Sequence, residues 1–190
     1  MTRHAGWFAL VLFLVLHCGG GSSGSNFNVE PEPRTLTVGD RMVLSARPAE
    51  PLDGEVQWEL EDPYGGGLRN SQGESTLYYA PEKAGIYHLT LRANRADGRQ
   101  MKQTVIIQVL PVPTVAPSSA QVPPGGTVAF SANMKGLARN TVTWSVEADG
   151  GAIDPEGVYQ APSRPGTYHV TATSTLDPSV SAQASVVVGD

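Results

Sequence analysis

The chain has 190 residues, with 21 glycines, 15 prolines and a formal net charge of −5 at pH 7. That length accommodates one or two domains, and a mildly acidic chain with no basic stripe after its N-terminus argues against a nucleic-acid partner. A single cysteine excludes an intrachain disulfide in any compartment.

Taken in order, residues 1–17 carry Arg3 and His4 and then an apolar run from Ala5 to Leu16. The run is too short to span a bilayer comfortably and has the proportions of a signal-peptide core. Cys18 follows, and then the flexible stretch from Gly19 to Ser25, which places a tether over 18–28. A lone cysteine between an apolar run and a Gly/Ser tether resembles the lipobox of bacterial lipoproteins. The resemblance implies that Cys18 is lipidated and that its acyl chains hold the protein to a membrane of the bacterial cell envelope, the outer membrane by preference. His17 stands where lipoproteins usually carry a small residue; the alternative is an ordinary secretory signal cut within the Gly/Ser run.

From Val29 onward the chain says the same thing twice. Gly39 to Ala46 corresponds to Gly125 to Ala132, and Val56-Gln-Trp58 to Val142-Thr-Trp144, at an offset of 86 residues. From Tyr78 and Tyr159 the offset becomes 81, through Pro81/Pro162, Gly85/Gly166 and Tyr87/Tyr168. Two domains are expected, over 29–110 and 114–190, joined by the extended connector Pro111-Val-Pro113. The first holds five extra residues, within Asp62 to Gly73.

Within each copy apolar residues alternate with polar ones, the period of a half-buried strand. Leu44 and Ala46 share a face, as do Val56, Trp58 and Leu60, then Tyr87, Leu89 and Leu91; Gly/Pro turns separate these runs, and no segment has a helical period. An all-β fold of two sandwiches is expected.

The spacing of particular residues resembles the immunoglobulin fold. Leu44, Trp58, Tyr87 and Leu89 in the first copy, and Phe130, Trp144, Tyr168 and Val170 in the second, stand where such domains carry a cysteine, a buried tryptophan, a corner tyrosine and a second cysteine. The pattern is similar to the bacterial immunoglobulin-like domains of surface proteins and lipoproteins. It implies two tandem sandwiches after a signal peptide and tether, each closed around its indole without a disulfide. The eight residues are therefore the expected structural core.

Catalytic groupings are not gathered. His88 and His169 occupy equivalent strand positions that alternate with the apolar face, so they point to solvent. No His or Cys spacing suits zinc, no serine sits in a nucleophile motif, and Asp154-Pro-Glu-Gly157 reads as a β-turn rather than a calcium loop. No enzyme, cofactor or metal is expected. The candidate partner-binding residues are Tyr64, Arg69 and Asn70, on a loop expected to be mobile and absent from the second copy, with Tyr79 as a second exposed aromatic. The expected role is protein binding or spacing in an envelope or surface assembly, with another envelope protein as partner. The alternatives are a surface adhesin or glycan binder, for which Tyr64 and Tyr79 would be the platform, and an accessory domain of a secreted enzyme system.

Overall fold

A computed structural model describes residues 26–189; Cys18 and the expected signal segment lie outside the described residues. The first domain contains β1 (Phe27–Glu30), β2 (Thr35–Thr37), β3 (Arg41–Pro48), β4 (Leu52–Leu60), β5 (Gly67–Leu68), β6 (Ser75–Tyr79), β7 (Gly85–Arg95) and β8 (Gln100–Leu110). One sheet has the order β1-β3-β6-β5 and the other β2-β8-β7-β4. The first segment switches sheets: β1 pairs antiparallel with β3, and β2 then pairs parallel with β8. This is the arrangement of an immunoglobulin-like sandwich. Phe27 is buried in it, so the tether expected over 18–28 ends earlier, before β1.

The second domain repeats the plan with β9 (Val112–Ala116), β10 (Ser119–Val122), β11 (Thr127–Ala129), β12 (Ser131–Lys135), β13 (Val142–Val146), β14 (Ala152–Ile153), β15 (Val158–Gln160), β16 (Gly166–Ser174) and β17 (Ser181–Val188). One sheet has the order β10-β17-β16-β13. The other is split at Phe130: β11 pairs with β15 and β12 with β9.

The alternation in sequence decides what is inside. Leu44, Trp58, Tyr87 and Leu89 are buried in the first core, with Leu91, Ile107 and Val109. Phe130 and Val170 are buried in the second, where the Phe130 ring lies 6.4 Å from that of Trp144 and 6.3 Å, edge-on, from that of Tyr159. Trp144 and Tyr168, expected inside, are only partly buried at the margin of that core. Both corner tyrosines close their turns, Tyr87 Oη donating to Lys83 O at 2.8 Å and Tyr168 Oη to Arg164 O at 3.0 Å.

The expected three-residue connector shrinks to Pro111. Val112 and Pro113 belong to β9, and Val112 packs against the first core. The domains also touch: Ala84 N–H donates to Gly136 O at 2.8 Å, and Lys135 Nζ lies 3.2 Å from Glu82. Gly136 has φ of +99°, and a Cβ there would come within 3.0 Å of Pro111 Cα, which accounts for glycine at this contact.

Candidate functional site

The five extra residues of the first domain do not make a free loop. Gly65 and Gly66 have structural counterparts in Gly150 and Gly151, which the linear offset hides. Gly66 and Gly151 share a positive φ, and a Cβ on either would stand 2.1 or 2.2 Å from the carbonyl oxygen of Tyr79 or Gln160. The carbonyls of Gly65 and Gly150 each accept from a buried tyrosine, Tyr78 Oη and Tyr159 Oη, at 2.6 Å. Burial, with smaller contributions from Tyr87 and Asp62, pushes the Tyr78 phenol up to about 12. Burial, with Tyr168 and Glu147 behind it, raises Tyr159 as well. One extra residue precedes the glycine pair, and the other four fall between Leu68 and Leu77, where the second domain has only the turn Asp154 to Gly157.

Those four residues lengthen a segment, Arg69 to Glu74, that is hydrogen-bonded along much of its length. Arg69 N–H donates to Leu77 O at 2.9 Å, and Thr76 Oγ1 to Asn70 O at 2.7 Å. The segment then crosses to the other sheet and covers the edge of β4. Trp58 N–H donates to Ser71 O at 2.8 Å, Gly73 N–H to Val56 O at 2.9 Å, and the Trp58 indole Nε1–H to Gly73 O at 2.8 Å. The loop expected to be mobile is thus a lid on an edge strand, and it is why Trp58 is 3% exposed.

On the other side of the segment, the outward face of β3, β6 and β5 collects apolar and cationic groups. The register sets Arg41 against Tyr79 and Val43 against Leu77, with Gly67 beyond Tyr79. Leu44, Tyr78 and Ala46 point into the core, so these residues point out, with Val43 59% and Tyr79 41% exposed. Arg69 and Asn70 join Val43, Leu77, Ser75 and Thr76 around a shallow hollow of about 450 Å³. Among the described residues no carboxylate lies within 4.0 Å of Arg41 or Arg69. Three of the four expected binding residues, Arg69, Asn70 and Tyr79, therefore belong to one face. Tyr64 does not: it lines a separate hollow with Asp62, Pro81, Glu82, Lys83 and Tyr87. Arg41, Val43 and Leu77 were missed by sequence reasoning, although their alternation with Leu44 and Tyr78 carries the signal.

In the second domain the same positions hold Thr127 against Gln160 and Ala129 against Val158. None of these four residues carries a charge or an aromatic ring. Neither His88 nor His169 belongs to a cluster of metal-ligating side chains among the described residues. His88 is exposed, and His169 meets Glu147 alone, its Nδ1 at 3.2 Å from Oε1. Glu61, the counterpart of Glu147, accepts instead from Thr90 Oγ1, a bond that holds its carboxyl below the ordinary value. Asp154 closes its turn, accepting from Gly157 N–H at 3.1 Å and, through Oδ1, from Val158 N–H at 2.8 Å.

No family model and no curated protein sequence matches the chain. Among solved structures, it is similar to the insect immune protein hemolin, at 15% identity and a TM-score of 0.47 over 88% of this chain and 48% of hemolin, so that it spans about half that protein. It is also similar to the fibronectin(III)-like modules of CbhA from Clostridium thermocellum, at 20% identity and a TM-score of 0.30 over 85% and 94%. Murine CEACAM1b follows at 11% identity and a TM-score of 0.37 over 84% and 96%. The strand order and register define the class: an all-β protein of two tandem immunoglobulin-like sandwiches.

Proposed function

We propose that the protein is a non-enzymatic cell-envelope lipoprotein in which the first sandwich binds another envelope protein and the second sets the reach of that domain. The observation that supports the binding role is the outward face of β3, β6 and β5. It joins Arg41 and Arg69, which have no ion pair among the described residues, to Val43, Leu77 and Tyr79, whereas the matching positions of the second domain hold Thr127, Ala129, Val158 and Gln160. Arginine and tyrosine beside exposed aliphatic groups are the residue types that dominate protein interfaces. The two arginines suit a partner surface that carries carboxylates. The lipid anchor rests on Cys18 and its setting between the apolar run and the Gly/Ser tether.

Crosslinking in cells, with a photoreactive side chain at Val43, tests the binding role. One discrete crosslinked protein is expected, lost in an Arg41→Ala/Arg69→Ala/Tyr79→Ala variant and kept in Thr127→Ala/Gln160→Ala. Unchanged crosslinking in the first variant sinks the assignment of this face. Growth with an inhibitor of lipoprotein signal peptidase tests the anchor: precursor accumulates if Cys18 is acylated, and processing without accumulation refutes it.

A further inference from the structure

The segment that covers β4 has no counterpart over β13, and this leaves an unguarded sheet edge in the second domain. Trp58 N–H and Val56 O are the groups that bond Ser71 and Gly73. Their counterparts at the offset of 86 are Trp144 N–H and Val142 O. Since successive residues of a strand direct their backbone groups to opposite sides, Val142, Trp144 and Val146 turn theirs away from β16. Among the described residues β13 pairs with β16 alone. The nearest covering element is the Asp154 to Gly157 turn: a Cβ on Gly157 would lie 3.2 Å from the Trp144 ring, but the turn makes no backbone bond to β13.

Natural sheets protect such edges with charge, proline, a bulge or a cover. The edge of β4 has a cover and a register shift between Asp53 and Gln57, and β9 carries Pro113. The sequence Val-Thr-Trp-Ser-Val of β13 has none of these devices, and its indole is partly open.

We propose that β13 pairs antiparallel with β13 of a second copy, joining the two β10-β17-β16-β13 sheets across a two-fold axis. Only one register uses all five residues while exchanging bonds among the outward-facing backbone groups. It centres on Trp144, sets Val142 against Val146 and Thr143 against Ser145, and brings the two indoles side by side. A two-fold axis requires such self-complementarity, and the strand is self-complementary: aliphatic meets aliphatic and hydroxyl meets hydroxyl. This surface is distinct from the Arg41–Tyr79 face, so either can fail without the other.

The test uses the full chain in non-ionic detergent. Thr143 and Ser145 point to solvent, so substitutions there spare the core. Sedimentation velocity over a concentration series should show a reversible monomer–dimer equilibrium. T143K/S145K, which sets lysine against lysine, should raise the midpoint concentration at least tenfold. T143K/S145E, which sets lysine against glutamate, should restore it to within about threefold of the original. Under mild oxidation T143C/S145C should crosslink copies while each single-cysteine variant, like the parent with Cys18 alone, does not. A wild-type chain that stays monomeric at 100 µM, or a dimer indifferent to T143K/S145K, overturns the proposal. A photoreactive group at Ser145 that captures a different protein, and never a second copy, overturns it in favour of a partner's strand.

Discussion

Removing the two tryptophans one at a time should have unequal costs, although they occupy one position of the repeat. An indole buries roughly 200 Å². At about 25 cal/mol per Å² that sets a ceiling near 5 kcal/mol for full burial. Trp58 approaches this limit, being 3% exposed, and its Nε1–H also bonds Gly73 O. With partial collapse of the cavity, Trp58→Ala should destabilise the first domain by about 3–5 kcal/mol. Trp144 is only partly buried, and its indole N–H makes no hydrogen bond among the described residues. Trp144→Ala should therefore cost the second domain about 2–3 kcal/mol. Calorimetry of each variant, with urea unfolding followed by far-ultraviolet circular dichroism, separates the two transitions. Equal losses, or a larger loss from Trp144, would refute the idea that the Arg69 to Glu74 segment governs burial at this position.

The buried tyrosines should make both domains sensitive to alkali. A phenol whose value is raised in the folded state stabilises the fold in full below its unfolded value near 10, and that contribution disappears as pH rises through the folded value. For Tyr78 the folded value is about 12, so the melting temperature of the first domain should fall between pH 10 and 12. Tyr78→Phe should reduce that alkaline loss while costing about 1–3 kcal/mol at neutral pH, because the Gly65 carbonyl loses its donor; an alkaline slope equal to that of the parent would count against Tyr78 as its source. Gly66→Ala and Gly151→Ala should each leave one domain unfolded, since a Cβ would overlap a carbonyl oxygen at 2.1 or 2.2 Å. Proton spectra of either variant that keep dispersed methyl signals from both domains would contradict this.

The sandwich was legible because most of the strands that build its core alternate. Leu44, Trp58 and Leu89, with Phe130 and Val170 in the second copy, sit on the apolar side of a period-2 pattern, and their burial follows from that pattern. The inward tyrosine of Leu77-Tyr-Tyr79 was available by the same rule, since Thr76 and Tyr78 alternate with Leu77 and Tyr79. It was overlooked because two adjacent tyrosines have the same composition whichever one is inside. Offsets between repeats count residues without saying where a chain crosses between sheets. That is why the glycines at 65 and 66 were mistaken for part of an insertion, and why Trp144 was expected to be as deep as Trp58. The candidate site was legible in the same partial way. Arg69 and Tyr79 stood out as residue types, but the face that unites them with Arg41 and Val43 is made by cross-strand register, a long-range property.

One difference of four residues accounts for much of the divergence between the copies. In the first domain the added chain supplies Arg69 and Asn70 to one sheet face and hydrogen-bonds the edge of the opposite sheet. Enriching the face and covering the edge are coupled, because a segment anchored to Leu77 at one end and Val56 at the other must cross the rim of the sandwich. In the second domain the tight turn at Asp154 lies against the Trp144 ring but makes no backbone hydrogen bond to β13, so the indole is less covered and the edge groups lack a partner from the turn. On the proposed reading, in which one module binds a partner and the other pairs with a second copy, the strands need no further specialisation. The same duplicated framework serves both ends, and the length of one connection decides which surface each domain presents.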